Sequence, residues 1–105
     1  MTTTAPTVDT DALQQQAAAA AAMLRTLGHE QRLLVLCLLA AHGERTVGQL
    51  LAEVRLSQSA LSQHLARMRE DGLVACRRDG QSMHYRIADP RVAALVGTLK
   101  SIFCP

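Results

Sequence analysis

Two sets of side chains in this sequence could carry chemistry or recognition. The first is the thiols Cys37, Cys76 and Cys104. A cysteine attacks only as the thiolate, and two thiols within reach of each other can close a disulfide or pass on a sulfur atom by exchange. Cys37 lies inside the apolar run LLVLCLLAA, and Cys104 is followed by a single residue. The second set is polar and lies in LSQSALSQHLARMREDGL, residues 56–73: Ser57, Gln58, Ser59, Ser62, Gln63, His64 and Arg67. Hydroxyls, amides and one cation on a single element suit base edges and phosphates better than they suit a salt-bridged solvent face.

The element that presents this polar set is a helix. Leu61, Leu65 and Met68 recur at helical spacing, so the opposite face is apolar and must be buried. Ser57 fits the N-cap, and Gly72 fits the left-handed position that ends a helix, with Leu73 folding back onto Met68. His64 stands beside the apolar stripe, which also allows it a structural role. Upstream, Thr46 and Gln49 form a capping box that opens a short helix with Val47, Leu50, Leu51 and Val54 inward; Arg55 and Leu56 make the turn.

Downstream, Asp79-Gly80 is a hairpin turn signal. Pairing outward from it sets Arg78 opposite Gln81, Cys76 opposite Met83 and Val74 opposite Tyr85. Val74, Cys76, Met83, Tyr85 and Ile87 then share an apolar face, where Cys76 reads as core; Arg77, Arg78 and Gln81 lie near the tip, placed for a phosphate backbone or a minor groove. Helix, turn, helix, hairpin is the order of a winged helix-turn-helix. The expected fold is therefore mainly α with a small β-hairpin.

The flanks supply the frame. Residues 1–10 are Thr-rich without periodicity and read as a disordered tail, leaving 11–104 as one DNA-binding and dimerisation domain. Asp11 to Leu27 reads as a first helix with the stripe Leu13, Ala17, Ala20, Leu24 and Leu27. Glu30 to Ala41 is apolar all round and reads as the central buried helix. Asp89-Pro90 starts a last helix to about Phe103, with Val92, Leu95, Val96, Leu99, Ile102 and Phe103 on its stripe. Hydrophobic residues make up 49% of the 105, more than one small core absorbs, so the first and last helices are expected to form a homodimer interface.

The totals narrow the partners. Net charge is +2, hence +4 for a dimer, which permits nucleic acid. The only aromatics, Tyr85 and Phe103, give no platform for stacking unpaired bases, so the expected partner is double-stranded DNA. The three cysteines form no disulfide framework, and no apolar run reaches the ~20 residues of a membrane span, so a cytoplasmic location with reduced thiols is expected. His29, His42, His64 and His84 show no metal-ligand spacing, and neither metal nor cofactor is expected.

LGHEQRLLVLCLL, LSQSALSQHLARMREDGLV and RRDGQSMHYRI together resemble the ArsR/SmtB family of bacterial repressors, from about Leu24 to Cys104. That resemblance implies a homodimeric winged-helix protein that occupies an operator and leaves it when an inducer binds. The family's ELCxCDL metal motif has no counterpart in Gly48 to Val54, and the last helix offers Arg91 and no histidine in place of a second metal site. Cys37 and Cys104 instead resemble the thiol pair of the persulfide-sensing BigR and SqrR branch. Lys100, one turn before Cys104, favours its thiolate, while the helix C-terminus opposes it and leucine burial opposes ionisation of Cys37; Cys104 is expected to attack first.

Other readings are a general redox regulator, a metal or arsenite sensor using the three thiols, and a regulator like HlyU that relieves silencing. A thiol enzyme would need an orienting base and an oxyanion site near a cysteine, and no such pattern is present. A winged helix used only for protein contacts would show no salt-sensitive duplex binding.

Overall fold

The computed structural model describes residues 9–104. The first helix, α1, spans Thr10–Leu27; the Asp9 carboxylate caps it by accepting from the Asp11 and Ala12 amides at 3.1 and 3.2 Å. Asp9 and Thr10 are thus part of the helix start, while the rest of the expected tail, residues 1–8, lies outside the described residues. Leu27 is the one buried residue of α1, and Leu13 and Leu24 are 56% and 52% exposed, so among the described residues the stripe is covered only at its C-terminal end.

The second helix, α2, spans Glu30–His42, with the His29 imidazole as its N-cap. Val35, Leu36 and Leu39 are fully buried. The side carrying Leu34, Ala40 and Ala41 is exposed, because none of the other described elements covers it. The expected burial all round therefore holds for one side only.

A two-residue strand not expected from sequence follows, β1 at Arg45–Thr46. Thr46 then caps the short helix α3, Val47–Leu51: its hydroxyl accepts from the Gln49 amide at 3.2 Å, and the Gln49 side chain accepts from the Thr46 amide at 2.9 Å. The next helix, α4, spans Gln58–Glu70 and buries Leu61, Leu65 and Met68 as its spacing requires. Its end is a Schellman motif: Gly72 adopts φ 75°, its amide bonds to the Arg69 carbonyl at 3.0 Å, and the Leu73 amide reaches Met68 at 2.9 Å.

Strands β2, Val74–Asp79, and β3, Ser82–Ile87, form the wing; β1 adds to the free edge of β3, giving the order β1-β3-β2. The hairpin register differs from the expected one. Val74 pairs with Ile87, Cys76 with Tyr85, Arg78 with Met83 and Asp79 with Ser82. The central turn residues are Gly80 and Gln81, not Asp79 and Gly80. Gly80 takes φ 62° and Gln81 has no positive φ, the pattern of a hairpin turn with glycine at its first central position. The register shifts by two, an even number, so each residue keeps its expected face.

The last helix, α5, spans Pro90–Phe103, capped by Asp89, which accepts from the Arg91 amide at 2.9 Å. Val92 and Val96 are buried, whereas Ile102 and Phe103 are 63% and 75% exposed. Architecture and hairpin together make this a mainly helical winged helix-turn-helix. Among the described residues no helix is long and apolar enough to cross a membrane.

Gly72 offers a direct test of the turn that joins α4 to the wing. An added Cβ would meet nothing within 4 Å, so only the left-handed backbone penalises a side chain there. Gly72→Ala is expected to lower unfolding free energy by about 1–2 kcal/mol, read from urea midpoints at one protein concentration.

Candidate nucleic-acid interface and thiol pair

The N-terminal half of α4 presents an uncommitted polar face. Gln58, Ser59, Ser62 and Gln63 are all exposed, on the side away from Leu61 and Leu65. Ser57 is committed: its hydroxyl accepts from the Ala60 amide at 3.1 Å and lies 3.3 Å from that of Ser59. Gln58, Ser62 and Gln63 make no side-chain hydrogen bond among the described residues, so their donors and acceptors are open to a ligand. Arg67, further along the helix, is 3.2 Å from Asp71 and partly neutralised by it.

His64 is placed otherwise. Its Nδ1 accepts from Arg32 Nε at 3.0 Å, and its ring lies 4.5 Å from that of His29. It is half-buried and bonded to Arg32 of α2, which ties α4 to the central helix. Burial, followed by the His29 and Arg32 charges, holds its imidazole below the ordinary histidine value.

On the wing the expected trio divides. Arg78 and Gln81 are exposed near the turn. Arg77 is held by Glu44, with its Nε 3.0 and 3.1 Å and its Nη2 2.7 Å from the carboxylate oxygens. The Arg77 hydrogen bond, ahead of other charges, lowers the Glu44 pKa, and His84 stands 3.7 Å from the same carboxylate. Glu44 is a residue that sequence reasoning missed. It follows Gly43 in a connecting loop and belongs to no motif.

Two of the three thiols, Cys37 and Cys104, sit on and at the end of two helices packed against each other, α2 and α5. Cys37 is half-buried; burial first, and then the charge of Cys104, push its thiol pKa up, while Lys100 opposes both. Cys104 is exposed at the C-cap of α5, its amide bonded to the Lys100 carbonyl at 2.7 Å. Cys76 is half-buried opposite Tyr85 on the inner hairpin face. Among the described residues no group of three or more His, Cys, Asp or Glu side chains could hold a metal ion.

A capped two-helix unit with an open polar face, followed by a hairpin wing, defines a DNA-binding transcription regulator. The chain belongs to the arsR family of bacterial regulatory proteins, whose family model matches residues 29–75. It is 45% identical over 93 residues to the HTH-type transcriptional regulator YgaV of Escherichia coli (strain K12), covering 89% of this chain and 94% of that one. The transcriptional activator HlyU of Vibrio cholerae is 39% identical over 92 residues, covering 88% and 84%. The structure of reduced HlyU from Vibrio cholerae superposes with a TM-score of 0.84, at 39% identity, over 89% of this chain and 97% of that one. The transcriptional repressor BigR from Xylella fastidiosa superposes with a TM-score of 0.83, at 36% identity, over 93% and 99%. These relatives are transcription regulators, not enzymes.

Two outcomes follow from the ion pair and the imidazole. Removing the Glu44 charge frees Arg77 for phosphate, so Glu44→Gln is expected to tighten binding to random-sequence duplex several-fold. It should also steepen the slope of log affinity against log salt by about one, read by fluorescence anisotropy. For His64, the unfolded chain takes up a proton near the ordinary value of about 6.5, while the folded chain resists until a lower pH. The contribution is complete above that value and is lost as pH falls through and below it. His64→Gln should flatten the decline in urea midpoint between about pH 7.5 and 5.5.

Proposed function

We propose that residues 11–104 form a homodimeric, cytoplasmic operator-binding domain that senses reactive sulfur species through Cys37 and Cys104 and releases DNA when they are oxidised. On this reading α4 enters the major groove with Gln58, Ser59, Ser62 and Gln63 toward base edges, Ser57 fixes its N-terminus, and Arg67 meets phosphate. The wing contributes Arg78 and Gln81 to the backbone, with Arg77 joining once it leaves Glu44. The exposed Leu13, Leu24, Ile102 and Phe103 supply the apolar area for a second copy of the chain.

The observation that carries the sensing reading is the placement of a half-buried thiol on α2 and an exposed one at the end of α5, two helices that pack against each other. Burial keeps Cys37 protonated at rest, so the exposed Cys104 reacts first. Its thiolate attacks the terminal sulfur of a low-molecular-weight persulfide, RSSH, and expels RS⁻, leaving a persulfide on Cys104. The same transfer from a second RSSH converts Cys37. Attack of the Cys104 persulfide anion on the inner sulfur of the Cys37 persulfide then expels hydrosulfide and leaves a trisulfide between α2 and α5. That link changes how α2, and with it α4, sits relative to the dimer helix, and half-sites one DNA turn apart tolerate little change of that kind.

Intact-mass analysis of the reduced protein treated separately with glutathione persulfide, hydrogen peroxide and zinc tests the proposal, with duplex affinity read on each product. A Cys37–Cys104 link carrying added sulfur, formed with persulfide and weakening DNA binding, is the expected result. A plain disulfide formed by peroxide with the same loss of affinity makes the protein a general redox switch, and bound zinc without a thiol adduct makes it a metal sensor. Cys104→Ser that still places a persulfide on Cys37 at the wild-type rate overturns the order of attack.

A further inference from the structure

A cavity of about 510 Å³ lies between the C-terminal half of α1, the first turn of α2, the end of α4 and the start of α5. That volume falls in the range of small-molecule sites. Four guanidiniums from four different helices line it, Arg25, Arg32, Arg67 and Arg91, against two carboxylates, Asp71 and Asp89.

The carboxylates are already taken. Arg67 is 3.2 Å from Asp71, and Arg91 forms a two-pronged pair with Asp89, its Nη2 at 2.8 Å. Arg25 and Arg32 have no carboxylate within 4 Å among the described residues. Arg32 is half-buried, and its only side-chain hydrogen bond there runs from Nε to His64, which leaves both terminal amino groups unused. Neither terminal amino group is a buried atom without a partner, so both stay accessible to an anion entering the cleft.

The rest of the wall is Ala19, Ala22, Met23 and Thr26 of α1 and the buried Leu73; the Thr26 hydroxyl donates to Asp71 at 3.5 Å. Small side chains on α1 leave the space open.

We propose that this cleft binds a small organic dianion, a dicarboxylate or a phosphate monoester with a short apolar body. The two unpaired guanidiniums take the charged oxygens, and the body rests on Met23 and Leu73. Guanidinium forks match carboxylate and phosphate oxygens in pairs, which favours these two groups over a spherical anion. Arg67 and Asp71 close the last turn of α4, so the ligand would touch the helix that carries the polar reading face. The site is separate from Cys37 and Cys104 and does not depend on the sulfur chemistry proposed above.

The experiment uses the full chain with Cys37→Ser and Cys104→Ser, which removes thiol reactions from the measurement. Adipate, phenyl phosphate and inorganic phosphate are titrated by calorimetry at fixed ionic strength, because screening would otherwise imitate competition. The expected result is saturable binding of adipate or phenyl phosphate at one per chain, tighter than inorganic phosphate, with shifted Nε–Hε NMR signals of Arg25 and Arg32. Which organic probe binds more tightly distinguishes a carboxylate from a phosphate ligand. Arg25→Gln, at an exposed position, and Arg32→Lys, which keeps the charge but not the fork, should each weaken binding about tenfold, equivalent to about 1.4 kcal/mol. No saturable binding overturns the proposal, as it would if a second copy of the chain filled the cleft. Binding that both substitutions leave unchanged overturns it equally.

Discussion

Everything in this fold depends on the buried face of α2. Val35, Leu36 and Leu39 are sealed from water, and the same core contains Leu61, Leu65 and Met68 of α4 and Val92 and Val96 of α5. A polar helix such as α4 has little reason to hold one orientation alone; its fixed pose comes from three apolar residues set against this central layer. The Arg32–His64 hydrogen bond adds a directional tie to a contact that hydrophobic burial leaves non-directional. The open side of the same helix leaves Leu34 exposed, as Leu13 and Leu24 are on α1 and Ile102 and Phe103 on α5.

The polar side chains fall into two groups. Those on the leading face of α4 make few bonds within the chain and are available to an outside partner. Three arginines, by contrast, are held by carboxylates: Arg67 by Asp71, Arg77 by Glu44, Arg91 by Asp89. At exposed sites such pairs contribute little stability, typically under ~1 kcal/mol. Their effect is to fix where a guanidinium waits and to lower the local positive potential until a stronger anion displaces the carboxylate.

The features legible in the sequence were those written in short segments. Ser57, the Thr46/Gln49 box and Asp89-Pro90 gave the helix starts, and Gly72 gave the α4 ending, because a cap or a positive φ involves residues a few places apart. The wing faces were legible although the register was not: shifting the turn from Asp79-Gly80 to Gly80-Gln81 moves the pairing by an even step and conserves parity. Strand β1 was hidden because two residues cannot display a period. The bonds from Glu44 to Arg77 and from Arg32 to His64 span 33 and 32 residues and follow no spacing rule; only the fold brings them together. That is why His64, whose motif neighbours Ser62 and Gln63 are exposed and polar, was readable as a contact residue or a structural one until its partner was known.

Thr46 has two duties at once. It pairs with His84 in the wing sheet, and its side chain caps α3, the first helix of the helix-turn-helix. One residue therefore belongs to both parts that would grip a duplex, so a swing of the wing against the two helices would strain the cap or the Thr46–His84 pairing. A rigid caliper of this kind measures its substrate. Duplexes whose groove width and local stiffness already match the gap between α4 and the hairpin tip would be bound at lower deformation energy, giving sequence preference at base pairs that no side chain touches.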